Sequence, residues 1–169
     1  LDHVILRPFT GKILVEYVPE SDPASERKYY EEGIVCVDSS FFDLFSYTFL
    51  AGNPNTVLRG SNSIVLTKSI ADKYFAGEDP VGKTLTLNNG AWTGMVMGVI
   101  EDHPSNTHLE FSMLLPIDLF NRLGYDMGWD HFYFNNYVRL QPGTDPASLT
   151  EKINETLRKV REDSQAEVV

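Results

Sequence analysis

One cysteine, Cys36, is all the sulfhydryl chemistry these 169 residues hold. No intrachain disulfide is possible, so cysteine usage does not disclose the redox compartment. Cys36 lies in the alternating run Tyr30-x-Glu32-x-Ile34-x-Cys36, which predicts a small packed hydrophobe. A catalytic thiol would need an activating base nearby, and none is legible. Positive charge is also scarce, with 14 Lys and Arg against 24 Asp and Glu and a net charge of −10. That balance argues against nucleic acid, which demands clustered cations, and disfavours electrostatic attachment to anionic lipid. Apolar runs fall well short of the ~20 residues a membrane helix needs, and no secretory leader is recognisable. Internal repeats and low-complexity tracts are absent as well.

What is present suffices for a core. Apolar residues make up 42% of the chain, including ten Phe, eight Tyr and two Trp, and aromatics are large burial units. The length predicts one domain or two small interlocked subdomains. Val4-Ile5-Leu6 and Ile13-Leu14-Val15 read as two strands or a hairpin, and residues 19–28 as an exposed loop. Residues 30–37 alternate as one strand. Ser40-x-x-Asp43 resembles a capping box opening a short helix. Ile64-Val65-Leu66 predicts a strand buried on both faces, followed by a helix capped by Thr67 and stopped near Gly77. Asn88-Asn89-Gly90 predicts a hairpin turn between strands 83–87 and 92–100. Gly94 and Gly98 imply either close approach of a neighbouring element or a bulge. Pro116 is expected to open a helix through Leu123, and residues 132–141 to form a strand with Phe132, Phe134, Val138 and Leu140 on one face. Asp145-Pro146 is a strong helix start, with an apolar stripe Leu149, Ile153, Leu157, Val160 running to about Arg161 and a frayed tail after Glu162. Interleaved strands and helices with hairpin links give the class α+β.

One motif invites an enzymatic reading. Gly77-Glu78-Asp79-Pro80-Val81-Gly82-Lys83-Thr84 fits the nucleotide-binding pattern G-x-x-x-x-G-K-[ST]. A phosphate-binding loop follows a strand and opens a helix, whose N-terminus and loop N–H groups cradle the phosphates. Here a helix, residues 67–75, precedes the motif and a strand, Thr84-Leu85-Thr86-Leu87, follows it. Glu78 and Asp79 would repel a triphosphate, and Pro80 removes an N–H. Among other candidates, Glu101, Asp102, His103, His108 and Glu110 form the densest group of potential metal ligands, on a segment that reads as a polar loop. Asp130-His131 offers a carboxylate–imidazole neighbour pair without a nucleophile elbow. Phe41, Phe42, Phe45, Tyr47 and Phe49 read as core rather than a ligand cage. Asn154-Glu155-Thr156 matches a glycosylation sequon inside a predicted helix and is set aside.

Several stretches in order carry a resemblance: Val37-Asp38-Ser39-Ser40-Phe41-Phe42-Asp43-Leu44-Phe45, then Leu50-Ala51-Gly52-Asn53-Pro54, then Ser63-Ile64-Val65-Leu66-Thr67 with Ala71 through Leu85, then Met97-Gly98-Val99-Ile100-Glu101-Asp102-His103-Pro104 and Asn106-Thr107-His108-Leu109. Together they resemble the MacB-like periplasmic core domain of ABC-transporter permeases of the FtsX-like superfamily, closely over residues 35–115 and loosely elsewhere. The resemblance implies a mixed-sheet porter-type subdomain of β-α-β units at 1–76 and 131–169, interrupted by a smaller α/β insert at 77–130. It implies no catalytic, cofactor or metal residues. The motif positions Phe41, Phe42, Phe45, Gly52, Lys73, Tyr74, Phe75, Asp79, Pro80, Gly82, Lys83, Gly98 and Pro104 are expected to build the fold, with Gly52 and Gly82 at turns where a side chain costs more than about 1 kcal/mol. The chain is then expected to be an excised piece lying between two transmembrane helices, with part of its first subdomain missing. The implied function is a non-enzymatic extracytoplasmic domain coupling cytoplasmic ATP hydrolysis to export or to a partner protein, at the periplasmic face of the bacterial inner membrane. The implied partners are the permease's own transmembrane helices, a cytoplasmic ABC ATPase, a dimer mate and a periplasmic adaptor or other protein. The rival readings are a free-standing peptide or small-ligand binding module and a P-loop nucleotide-binding protein.

Overall fold

The computed structural model describes residues 2–104, 106–124 and 134–166, with side chains described for all of these except 121 and 161–166. In chain order the elements are β1 (Asp2–Pro8), β2 (Ile13–Tyr17), β3 (Arg27–Glu31), β4 (Ile34–Val37), α1 (Phe41–Leu44), β5 (Phe49–Ala51), β6 (Ser63–Thr67), α2 (Lys68–Phe75), β7 (Thr84–Leu87), β8 (Trp92–Ile100), β9 (Met113–Pro116), α3 (Asp118–Arg122), β10 (Asn135–Arg139) and α4 (Pro146–Ala166). The chain divides into a large body, His3–Tyr137, and a small one, Asp2 with the chain from Val138 on.

In the large body one mixed sheet runs β1-β4-β9-β6-β8-β7-β2-β3, and β5 pairs with β8. The segments expected as porter and insert share this sheet: β8 lies parallel to β6, β7 antiparallel to β2, and β9 parallel to β4. β6 is buried along its whole length between β8 and β9, as its unbroken apolar run predicts. Alternation then divides the core in two. Ile34, Cys36, Ile64, Leu66, Met113 and Leu115 join Tyr74, Phe75, Leu119 and Phe120 from the helices on one face. Val35, Val37, Val65 and Leu114 join Phe41, Val57 and Phe111 on the other.

Several local expectations need correction. Of the two alternatives for the first apolar runs, separate strands form and a hairpin does not, since β1 pairs with β4 and β2 with β3 and β7. Residues 30–37 are not one strand: the chain breaks at Gly33, whose φ of +73° turns β3 into β4. Pro116 ends β9 instead of opening a helix, because its neighbours are drawn into the parallel ladder with β4, and α3 starts at Asp118. The hairpin β7–β8 forms as expected, with Asn88, Asn89 and Gly90 all at positive φ. Trp129, Phe132 and the pair Asp130-His131 lie outside the described residues.

In the small body, Asp145 caps α4 by accepting from the backbone N–H groups of Ala147 and Ser148, both at 3.1 Å. The helix continues to Ala166, past the expected end near Arg161. Arg158 and Lys159 therefore sit in mid-helix and bond one turn back, Lys159 to Glu155 at 2.9 Å and Arg158 to the Asn154 carbonyl.

Candidate functional site

The motif-rich segment 64–104 is organised around α2, and both ends of that helix are held by charged side chains from distant sequence. At its N-terminus the expected cap, Thr67, makes no capping bond, and its hydroxyl donates instead to the Ser112 carbonyl. Asp102 takes over. Its Oδ1 accepts from Ser69 N–H at 3.0 Å and its Oδ2 from Ser69 Oγ at 2.6 Å. Partial burial pushes this carboxyl up, but the two Ser69 bonds, with Lys68 and His103 nearby, outweigh it and hold the group below its usual range. A carboxylate at a helix N-terminus also meets the positive end of the helix dipole.

At the other end Tyr74 is fully buried, and its hydroxyl donates to Glu31 Oε1 at 2.8 Å. Lys73 Nζ donates to the same oxygen at 2.6 Å and stands 4.6 Å from the Tyr29 ring centre. Glu31 is only 6% exposed, and a buried carboxylate persists when paired and hydrogen-bonded. Burial and then Glu31 drive the Tyr74 phenol well above its ordinary range. Arg27 completes the clamp by donating to the Tyr74 carbonyl. α2 ends with Ala76 in the left-handed conformation, one residue before the expected glycine stop.

The P-loop-like stretch joins α2 to β7, so the order is helix, loop, strand, the reverse of a phosphate cradle. Its groups are turned inward. Asp79 Oδ1 accepts from Val81 N–H, the Pro80 carbonyl from Lys83 N–H, and Gly82 N–H donates to the Val96 carbonyl at 2.8 Å. Lys83 pairs with Glu78, which raises the ammonium pKa, and lies 5.6 Å from the Tyr17 ring and 5.7 Å from Phe75. The open hollow beside it, about 480 Å³, is lined by Glu20 and Glu78 as well as Lys83. Two carboxylates against one already paired lysine repel a triphosphate, and the nucleotide reading is withdrawn.

The densest metal-ligand candidates disperse. Asp102 is spent on Ser69. His103 Nε2 lies 2.7 Å from the Phe111 carbonyl oxygen and 3.2 Å from its amide nitrogen. His108 reaches the Tyr137 hydroxyl at 3.1 Å. Among the described residues no three potential ligands converge.

The other motif positions pack against neighbours or turn the chain. Phe41 is buried with its ring against Phe42, Phe45, Tyr47 and Phe111. Gly52, at φ +90°, presses on β8: an added Cβ would meet the Met97 carbonyl, stand 2.7 Å from Gly98 Cα and 3.0 Å from Val57 Cγ1. Gly98 lacks a side chain for the same reason, its own Cβ meeting Val57 at 3.0 Å and the Ala51 carbonyl at 3.1 Å. The pairing of β6 with β8 also shifts register between Ile64 and Val65, so close approach and a bulge occur together. Gly82 differs, because its φ is +86° but the space beyond is open. The Pro104 carbonyl closes a turn by accepting from Thr107 N–H at 3.3 Å. These residues are spread over the sheet rather than gathered in one hollow: Gly82 and Lys83 border one, Phe45 and Pro104 another. Sequence reading missed Glu31, which looks like an exposed charge in an alternating strand, and treated Asp102 as a candidate ligand although a carboxylate just after a strand had no visible helix to cap.

The model of the MacB-like periplasmic core domain matches residues 10–156. The chain belongs to this family. It is a periplasmic domain of the ABC-type permease family. Two solved structures share the fold of this MacB-like domain. A domain of a putative permease protein from Porphyromonas gingivalis is 27% identical with a TM-score of 0.70, covering 93% of this chain and 69% of that one. The periplasmic region of MacB from Actinobacillus actinomycetemcomitans is 16% identical with a TM-score of 0.64, covering 92% and 66%. This MacB-like chain thus spans about two thirds of either relative. No curated protein gave a significant match. No helix among its described residues is long and apolar enough to cross a membrane.

Proposed function

We propose that this domain is a non-enzymatic mechanical relay. On this reading it stands at the periplasmic face of the inner membrane, is carried by transmembrane helices of the same permease chain, and couples ATP hydrolysis by a cytoplasmic ABC ATPase to export or to a partner protein. Family membership supports the setting. The observation that carries the mechanical part is the way α2 is held: Asp102 grips one end and Glu31 with Arg27 the other, so polar groups inside and outside the family motifs fasten one element to the sheet. Motion passed through packed, doubly fastened elements is the usual physical route for such coupling. A dimer mate and a periplasmic adaptor are the further partners this reading calls for.

The test uses the intact permease with its ATPase in proteoliposomes. Tyr74→Phe and Asp102→Ala together loosen both ends of α2. The expected result is ATP turnover without transport. Unchanged transport by a folded double variant would remove the domain from the coupling path. Independently, calorimetry of this chain with Mg-ATP is expected to show no saturable heat; saturable binding abolished by Lys83→Ala would restore the nucleotide reading.

A further inference from the structure

Among the described residues β3 is the last strand of the sheet and has one neighbour, β2. Which of its backbone groups are unpaired follows from hydrogen bonding two strands away. Asn88 N–H donates to the Leu14 carbonyl at 2.8 Å, so Leu14 directs its polar groups at the β7 side. Groups alternate along a strand, so those of Val15 point at β3, where Val15 stands opposite Tyr29. The polar groups of Tyr29 are therefore taken, and those of Lys28 and Tyr30 face outward from the sheet. Tyr30 is 67% exposed, while Lys28 is tied back to Glu16. The strand keeps two of the usual protections of a free edge, being short and charged at Arg27, Lys28 and Glu31, but it has no proline and its five-residue register with β2 is unbroken by a bulge.

The geometry points to a docking edge for a second copy of this chain, with the two β3 strands antiparallel about Tyr29. Three features select that occupant and register. A two-fold axis through Tyr29 sets Lys28 opposite Tyr30 of the copy, the two residues whose N–H and C=O groups face outward, so the main chains exchange hydrogen bonds twice over. The same register sets Arg27 opposite Glu31 on both sides of the axis, and opposite charges across a strand pair attract. Glu31 meets Lys73 and Tyr74 through Oε1, leaving Oε2 to receive the second guanidinium. A shift of two residues one way sets Lys28 against Lys28; the other way sets Lys28 against Glu32 but leaves Arg27 opposite Gly33 and Glu31 opposite Tyr29. The Arg27–Glu31 pairs, both within the strand, favour the register about Tyr29, and the net charge of −10 opposes unselective association. Two five-residue edges bury less than the ~1,200 Å² of a stable interface. Pairing is therefore weak in free solution and effective where copies are held side by side. The inference rests on the free edge and not on the transport reading.

Disulfide trapping tests it. In this register Tyr29 faces Tyr29 as a non-hydrogen-bonded pair, with Cα atoms ~4.5 Å apart, inside disulfide reach. Tyr29→Cys at high chain concentration under mild oxidation is expected to give a covalent dimer. Tyr30→Cys, displaced along the seam from its own copy, is expected to stay monomeric, and buried Cys36 does not compete. Sedimentation equilibrium gives a second reading: Tyr30→Pro removes an outward N–H the fold does not use and is expected to weaken association at least tenfold with melting little changed. A monomeric Tyr29→Cys, equal trapping of both cysteine variants, or association unaffected by Tyr30→Pro would overturn the proposal.

Discussion

Replacing Gly52 and Gly82 by alanine separates two reasons for a glycine. Both residues have φ near +90°, a region that costs a side-chain-bearing residue about 1–2 kcal/mol. At Gly82 that is the whole cost, because nothing lies within 4 Å of the added Cβ. At Gly52 the Cβ lands on the backbone of β8, 2.7 Å from Gly98 Cα. Backbone in the middle of a sheet cannot step aside as a flexible side chain can. Overpacking of this kind adds about 1–3 kcal/mol, which brings Gly52→Ala to roughly 2–5 kcal/mol. A domain of this size loses about 2–4 °C of melting temperature per kcal/mol. Gly82→Ala should therefore melt about 2–8 °C lower, and Gly52→Ala about 4–20 °C lower, out of a total stability of about 5–15 kcal/mol. Thermal unfolding followed by circular dichroism, with urea titration to supply free energies, gives both values from one preparation. Equal losses for the two variants would refute the close approach of residue 52 to β8. A larger loss for Gly82 would mean that the connection from α2 to β7 is packed rather than open.

Three further outcomes follow from the clamps and the core. Asp102→Ala should cost about 0.5–2 kcal/mol as a lost helix cap. Because the folded carboxyl titrates below its usual range, its contribution is present at neutral pH and lost as pH falls through the ordinary carboxylate range and on through the lowered folded pKa, so urea unfolding of the variant should show a smaller acid-dependent loss there than the parent. Tyr74→Phe removes the hydroxyl from Glu31 Oε1 and should destabilise by about 1–3 kcal/mol; a Tyr74→Phe/Glu31→Leu double-mutant cycle that came out additive would deny the bond. Cys36 is fully buried and burial pushes its thiol up in pKa, so the native chain should resist a thiol-reactive dye that labels the urea-unfolded chain at once. Rapid native labelling would contradict the packing of β4.

Elements governed by local chemistry were legible in the sequence. The apolar run of β6, the Asn-Asn-Gly hairpin and the Asp145-Pro146 helix start each announce themselves within a few residues, and each forms where it was read. Elements decided by a distant partner were not. Pro116 sits in a strand because β4, far upstream, offers it a parallel ladder. Thr67 has the composition of a helix cap, yet Asp102 performs the task. Lys73 and Tyr74 stood out by resemblance, but their partner Glu31 carries no local mark of burial. Likewise, Gly52 and Gly82 look alike in sequence, and only the neighbouring strand distinguishes them.

The parallel pairing of β4 with β9 also governs how the chain is made. Ile34 finds its partner Met113 about 80 residues downstream, and at ~5–20 residues per second of synthesis that partner arrives several seconds later. Until then Ile34-Val35-Cys36-Val37, apolar on both faces in the finished sheet, has only β1 to pair with. The same wait applies to β6, whose two neighbours are both later strands. A chain emerging N-terminus first thus holds its stickiest strands open longest, and contacts of such long sequence separation close slowly. Truncations ending before Met113 should aggregate, and the interval between β4 and β9 is where a nascent domain of this kind depends on being shielded.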